Sequence, residues 1–321
     1  MRAMVCHRLS RDRAGLVFEA AWPDPAAPGP GEVTVAVAHA ALNFPDVLML
    51  EGGYQFAPPL PFIPGVEGSG NIVAVGAGLD PALIGAEVIV GARFGCLAER
   101  LTVPLAATRT VPPGLNLAAA AGFTVGALTA YAGLVRRGRL QPGERVAIAG
   151  AGGGTGLAAV GVAKALGAIV VALASTPAKL AAATAAGADE AILVDRRGGA
   201  LPRFAPVDVV FDPVGGGLTA PLVARLGRGG RYLIIGFVAG IADVPFDRIA
   251  RGEIEVIGVR AGEYARRDPV AGAANIVAID ALAAAGLVPL TGLRVPLAEA
   301  GSAFTAMADG TLVGKAVVDC A

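Results

Sequence analysis

The stretch from Val146 to Gly156 restricts what this chain can fold into more than any other. Val146-Ala147-Ile148-Ala149 carries only apolar side chains, as a strand covered on both faces must. The turn Ala151-Gly152-Gly153-Gly154-Thr155-Gly156 follows, and the residues from Gly156 to Leu166 read as a helix. A buried strand, a glycine turn and a helix in immediate succession open a βαβ unit. The turn also has the spacing of a dinucleotide-binding fingerprint, with Ala151 in the first small-residue place. There a small residue permits the tight turn, Gly153 lets the main chain approach a pyrophosphate, and Gly156 lets helix and strand pack closely. Gly154 and Thr155 complete the helix start, whose outward amides and dipole favour an anion. A glycine turn with a purely structural role would share the composition, but not its place between a strand and a helix.

The rhythm continues downstream. Ile169 to Ala174 is a second strand, and Pro177 opens a helix that runs to about Ala186 and is closed by Gly187. Strands follow at Ile192 to Val194, Val207 to Phe211, Tyr232 to Ile235 and Val256 to Val259, with a helix near 218–226. This alternation predicts a doubly wound parallel sheet with helices on both faces. The first third differs. Pro28-Gly29-Pro30-Gly31 is a turn before the β-rich Val33 to Val37, Asn71 to Val75 and Glu87 to Val90 are short strands, and prolines crowd 58–64. A long helix is expected over 268–285, and Lys315-Ala316-Val317-Val318 reads as an edge strand. The expected division is an irregular β domain over 1–122, the parallel-sheet domain over 123–259, and a return to the first domain over 260–321.

The second strand decides between cofactors. An NAD site places an acid about 20 residues beyond the fingerprint to accept from the ribose 2′-hydroxyl. No acid occurs between Lys164 and Asp189. The loop after the strand reads Ser175-Thr176-Pro177-Ala178-Lys179 instead. Ser175 and Lys179 offer a hydroxyl and an ammonium, which suit a 2′-phosphate and so NADPH. A solvated helix lysine is the plainer reading of Lys179.

Composition excludes several classes. Apolar residues are 55 % and charged residues 16 %, so a large core forms and disorder is not expected. Formal net charge is +0, and no run of like charges suggests nucleic acid. Arg136, Arg137 and Arg139 suit a helix C-terminus. Residues 110–135 carry no charge before Arg136, but prolines and glycines interrupt them, and they read as buried interior rather than a membrane span. The three cysteines, Cys6, Cys96 and Cys320, are scattered and form no zinc or disulfide pattern. With no signal-like start, the expectation is a cytoplasmic protein.

The chain resembles the zinc-free quinone oxidoreductase (ζ-crystallin-like) branch of the medium-chain dehydrogenases/reductases. The resemblance covers nearly its whole length. It rests on Asn43-Phe44-Pro45-Asp46, Pro61-Phe62-Ile63-Pro64-Gly65-Val66-Glu67-Gly68 and Leu128-Thr129-Ala130-Tyr131, then on the glycine turn with Leu157-Ala158-Ala159-Val160. Asp212-Pro213-Val214-Gly215-Gly216, Ile235-Gly236-Phe237 and Tyr264-Ala265-Arg266-Arg267-Asp268-Pro269 complete it. It implies a GroES-like catalytic domain built from both chain ends, an inserted Rossmann domain, a cleft holding the nicotinamide, and a homodimer made by joining Rossmann sheets edge to edge. Zinc-dependent alcohol dehydrogenases place Cys where this chain has Asn43, His where it has Val66, and Cys at Val125. No zinc is therefore expected, and no usual means of activating an alcohol.

Metal-free hydride transfer needs an electron-poor acceptor. The expected function is NADPH-dependent reduction of a quinone, with reduction of an α,β-unsaturated carbonyl (an enoyl thioester, acrylate or enone) as an alternative. A third, of another class, is an NADPH-binding protein with little turnover. The resemblance places Tyr54 near the reacting group, as a proton donor or an aromatic wall. Asn43 would bond a substrate oxygen or the cofactor ribose, or simply cap a loop. Thr129 would contact the nicotinamide end, or pack between helices. Gly236 and Phe237 would border the nicotinamide, unless Phe237 is ordinary core. Relatives often carry Tyr near the 2′-phosphate where this chain has Val194, and Arg196 could substitute.

Overall fold

The computed structural model describes residues 1–195 and 201–321. Arg196 lies outside the described residues. The chain divides into two compact units, Met1–Thr124 with Leu290–Ala321, and Val125–Pro289.

The first unit opens with a hairpin of β1 (Ala3–Cys6) and β2 (Leu16–Glu19). Then come β3 (Glu32–Ala41), helix α1 (Phe44–Glu51), β4 (Glu67–Val75), β5 (Glu87–Gly91), β6 (Arg100–Pro104) and β7 (Thr108–Thr110). Helix α2 spans Leu117–Ala121. In β3, Val33, Val35 and Val37 alternate into the core against Ile72, Val88 and Leu97, as the period of two requires.

The second unit is inserted in sequence between the two segments of the first. Helix α3 (Thr124–Tyr131) leads through a π-helical turn at Ala132–Arg137 into β8 (Arg145–Ala149) and helix α4 (Gly154–Ala165). Strand β9 (Ile169–Ala174), helix α5 (Pro177–Ala185), β10 (Glu190–Leu193), β11 (Val207–Asp212), β12 (Leu226–Ile234) and β13 (Glu255–Gly258) follow. All six strands are parallel, in the order β10-β9-β8-β11-β12-β13. The chain steps one way from β8 through β10, then crosses back to β11. The switch point therefore lies beside the C-terminal end of β8, where open α/β sheets bind ligands. Apolar side chains cover both faces. Val146, Ile148, Val170 and Phe211 pack under α4, while Ala147, Leu173 and Val210 meet Leu218 and Leu222.

The chain then returns to the first unit as β14 (Thr291–Pro296) and β15 (Lys315–Asp319). They complete a sheet in the order β14-β15-β3-β4-β5-β7, with β6 also paired to β3. The expected α/β class is observed, with a GroES-like β unit and a Rossmann-type parallel sheet.

Two expectations are corrected. Strand β15 is not an edge: it pairs with β14 on one side and β3 on the other. The helix expected over 268–285 forms at Pro269–Ala284 but belongs to the parallel-sheet unit, which ends at Pro289 rather than 259. Its Leu282, and Leu287 just beyond it, pack against the core around β8 and α4, and Leu287 would strike a Cβ placed on Gly161. Among the described residues no helix is long and apolar enough to cross a membrane.

Candidate functional site

Glycine is required around the turn after β8 for different reasons at each position. Gly150 has φ +61, which turns the chain out of the strand. A Cβ on Gly156 would lie 2.1 Å from the Gly150 carbonyl oxygen and 2.7 Å from the Ala151 Cα, so this residue sets the close approach of helix and strand. Ala151 is fully buried, and its amide donates to the Leu173 carbonyl of β9 at 3.0 Å. Gly153, the residue before α4, is different: a Cβ there would meet nothing nearer than the Gly150 oxygen, 3.6 Å away. Its side of the turn is open. No internal packing demands glycine at 153, whereas close approach of a ligand to the main chain would. The first-turn amides of α4 at Gly154, Thr155 and Gly156 have no helical acceptor of their own. This arrangement fits a pyrophosphate.

The turn after β9 lies against the same glycines. A Cβ on Gly152 would fall 2.3 Å from the Lys179 Cβ, so the stem of Lys179 is packed over the glycine turn. Thr176 caps α5, its hydroxyl accepting from the Lys179 amide at 3.3 Å. Ser175 is half-buried at the end of β9. The first acid beyond, Asp189, binds the Val170 amide at 2.7 Å and the Lys164 ammonium at 2.9 Å. Val170 is near the start of β9, so this carboxylate is at the opposite end of the strand from Ser175; Asp195 follows β10, one strand out.

Two further predicted residues sit on loops past β12. The amides of Ile235 and Gly236 both donate to the Asp212 carbonyl, at 2.9 and 3.3 Å, which holds this segment against the end of β11. Phe237 is 48 % exposed, so it is not ordinary core. Thr129 lies one turn beyond Gly126, where a Cβ would be 3.4 Å from the Gly154 oxygen. Thr129 therefore lies on a face of α3 shared with a residue packed on the start of α4.

In the other unit, Asn43 and Tyr54 flank α1. Asn43 is only 6 % exposed and part of a buried polar cluster. The Lys315 ammonium donates to the Glu67 carboxylate at 2.7 Å, to Asn43 Oδ1 at 2.8 Å and to the Leu42 carbonyl at 3.1 Å. Asn43 Nδ2 donates to Glu67 Oε1 at 2.9 Å and to the Ala41 carbonyl at 3.3 Å. Because an ammonium only donates and a carboxylate only accepts, these partners fix which way the amide points. Both N–H groups of Asn43 are thereby used within the chain, and Oδ1 serves as an acceptor. Asp46, in the first turn of α1, is fully buried and accepts from the amides of Asn43 at 2.8 Å and Gly65 at 3.1 Å. Burial pushes its carboxyl up to about 7 against the pull of those two bonds. Tyr54 follows the left-handed Gly52 that ends α1, and its half-buried ring packs on the core. About eight residues of helix put roughly 12 Å between the two ends of α1.

Sequence reading did not assign Glu67, Lys315 or Asp46 a role, although all three stand in strings quoted above. The available signal was that a carboxylate and a lysine each stood at the first position of a β-rich string. The cysteines are buried, and burial raises all three thiols above their ordinary value, Cys320 to about 12. Among the described residues, no three His, Cys, Asp or Glu side chains are grouped to hold a metal ion.

Comparison with known proteins agrees with this geometry. The alcohol dehydrogenase GroES-like domain family matches residues 29–137, and the zinc-binding dehydrogenase family matches residues 154–278. Quinone oxidoreductase-like protein 2 of Rattus norvegicus is 31 % identical over 99 % of this chain and 91 % of its own. The Spectinabilin polyketide synthase system protein NorB of Streptomyces orinoci is 37 % identical over 92 % of this chain and 13 % of its own. The quinone oxidoreductase from Thermus thermophilus, solved alone and in complex with NADPH, superposes with a TM-score of 0.80 at 33 % identity, covering 99 % of this chain and 100 % of that one. The glycine turn, the sheet order and these relatives make the chain an oxidoreductase of the medium-chain dehydrogenase/reductase family, among its quinone oxidoreductase-like members and with a fold suited to a nicotinamide dinucleotide.

Proposed function

We propose that the protein is a zinc-independent reductase that uses NADPH to reduce quinones. The observation that carries the cofactor choice is the end of β9. Lys179 is packed over the glycine turn there, and the chain from Ser175 to Ala188 contains no acid. An ammonium and a hydroxyl recognise a phosphate, while a carboxylate at this place would repel it. The Thermus thermophilus relative, whose complex contains NADPH, supports the same choice. When bound, the dihydronicotinamide supplies a hydride.

The chain's own residues would bind, orient and move a proton. The amides at Gly154 to Gly156 and the dipole of α4 hold the pyrophosphate, and Ser175 and Lys179 hold the 2′-phosphate. Gly236 and Phe237 border the nicotinamide, with Thr129 at the same end. Asn43, with both N–H groups already used, accepts a hydroxyl hydrogen through Oδ1 and so suits the ribose better than a developing oxyanion. Tyr54 is an aromatic wall of the pocket for a quinone and would become the proton donor only for an activated alkene. Asn43, Val66 and Val125 stand where zinc-dependent relatives carry ligands, and none is a thiol or an imidazole. The family reading also makes the working form a cytoplasmic homodimer.

A second reading has support of its own. Identity of 37 % to a portion of a polyketide synthase system protein favours reduction of an activated carbon–carbon double bond, such as an enoyl thioester. One experiment separates the readings. NADPH oxidation is followed over a panel of quinones, enones and enoyl thioesters, with and without a chelator, for the wild type and Tyr54→Phe. Turnover of quinones that ignores both chelator and Tyr54→Phe is expected. Turnover confined to alkenes, falling by about 10²-fold or more in Tyr54→Phe, would replace quinone with alkene and make the phenol the general acid. Tight NADPH binding without turnover on any acceptor would favour a binding protein.

A further inference from the structure

The parallel-sheet unit contains a buried acid–phenol pair with no role in the function proposed above. Asp212 ends β11 and Tyr232 lies on the neighbouring β12, and both are 2 % exposed. The Tyr232 hydroxyl donates to Asp212 Oδ2 in a short hydrogen bond, and the Thr219 hydroxyl bonds the phenol oxygen. Asp212 Oδ1 accepts from the amides of Val214 at 2.7 Å and Gly215 at 2.9 Å. The Asp212 carbonyl accepts from Ile235 and Gly236. One residue thus fastens two loops, the turn after β11 and the segment after β12.

Those loops are joined further along. Gly216 donates to the Gly240 carbonyl and Ala239 to the Val214 carbonyl, both at 2.8 Å. Gly215 and Gly216 have φ +68 and +57, and a Cβ on either would lie 2.7 or 2.5 Å from a carbonyl of the facing loop. The result is a double-loop platform with Phe237 on its exposed side. Asp212, Tyr232, Gly236 and Phe237 line one small pocket together. A buried carboxylate needs a donor for each oxygen, and the phenol supplies the one for Oδ2, so the platform's geometry depends on it. Burial, then the Asp212 charge, hold that phenol far above its ordinary range, so it remains a donor at any working pH.

We propose that Asp212 and Tyr232 are positioning residues that fix the two loops so that Gly236 and Phe237 meet the nicotinamide end of the cofactor. The inference rests on the reading of Gly236 and Phe237 as nicotinamide neighbours. It predicts that the pair acts on one half of the dinucleotide and leaves the half held by the glycine turn alone.

Tyr232→Phe keeps the ring in the core and removes only the hydroxyl. Folding is checked by circular dichroism and thermal melting. Binding is then measured for 2′,5′-ADP, which carries the adenosine and 2′-phosphate but no nicotinamide, and for NADPH. The expected result is unchanged 2′,5′-ADP affinity and NADPH affinity weakened about tenfold, the scale of one charge-assisted hydrogen bond. With NADPH deuterated at the transferred position, the kinetic isotope effect on kcat should rise as hydride transfer becomes slower than release. Equal weakening of both ligands would mean a loosened fold and would overturn the inference, as would unchanged NADPH binding and isotope effect. If Tyr232→Phe does not fold, Asp212→Asn, which keeps an acceptor for the turn amides, should give the same split between ligands. Wild-type protein that binds neither ligand would overturn the dinucleotide reading and this inference with it.

Discussion

Exchanging two glycines of one turn for alanine should have different consequences, because each meets a different demand. At Gly153 the backbone is at φ −89 and ψ 167, which alanine adopts freely, and the added methyl meets nothing closer than 3.6 Å. The unfolded chain loses freedom, a gain of about 0.4–1 kcal/mol, and alanine is poorer than glycine before a helix by a similar amount. Net stability should change by less than about 1 kcal/mol, or roughly 1–2 °C in Tm for a protein of this size. The methyl, however, occupies the open side of the turn. If one phosphate-to-amide bond is lost there, NADPH affinity should fall roughly 10- to 100-fold. At Gly156 the methyl would sit 2.1 Å from one backbone atom and 2.7 Å from another, with no side chain able to yield. Helix and strand must separate, at a cost of about 3 kcal/mol or more. Thermal melting and NADPH titration on the wild type, Gly153→Ala and Gly156→Ala test this. Gly153→Ala should lose binding alone, and Gly156→Ala should lose stability and binding together. A Gly153→Ala protein that binds NADPH normally, or a Gly156→Ala protein as stable as the wild type, would refute the reasoning.

Two further outcomes are expected. Lys179→Ala retains the Cβ that packs over Gly152 but removes the ammonium; NADPH binding should weaken roughly 10- to 100-fold and NADH binding stay nearly constant, and equal loss of both would remove Lys179 from the phosphate site. Lys315→Met leaves Glu67 buried without its cation and should cost about 3–5 kcal/mol in urea unfolding, with part of it restored by Glu67→Gln in the same chain. An unaffected single variant would show that the buried pair contributes nothing.

The glycine turn was legible because its function resides in the main chain, and main-chain demands appear as residue types at fixed spacing. Strands of the parallel sheet were legible for a similar reason: Val170 to Ala174, buried on both faces, form a continuous apolar run. The helix at Pro269–Ala284 was found, but not its unit, because a helix apolar on most sides does not reveal which core it will cover. Strand β15 was misread for a physical reason too. A lysine at the start of a strand suggests an exposed edge, yet Lys315 is buried because register brings it partners. Ala41 of β3 lies opposite Glu67 on one side and opposite Val317 on the other. Asn43, Glu67 and Lys315 are therefore neighbours through sheet pairing, across sequence separations that no local pattern encodes. Asp212 and Tyr232 are joined the same way, by parallel pairing of β11 and β12.

The buried cluster also bears on which acceptor this protein suits. Reduction of an alkene conjugated to a carbonyl leaves an enolate, which needs donors at its oxygen and a proton at carbon. Reduction of a quinone leaves a hydroquinone anion that its own aromatic ring stabilises and that water can protonate. Asn43 is poorly placed to serve the first chemistry. Its two N–H groups are engaged by Glu67 and Ala41, and the Lys315 ammonium fixes the amide in that orientation. Turning the amide over would set an N–H against an ammonium and a carbonyl oxygen against a carboxylate, at two buried positions at once. Asn43 is thus held as an acceptor. For this chain to reduce an enoyl substrate, the donor must be Tyr54 or a main-chain amide, whereas a quinone asks for neither. The orientation of one buried amide therefore favours the quinone and leaves Tyr54 as the residue on which the alkene reading depends.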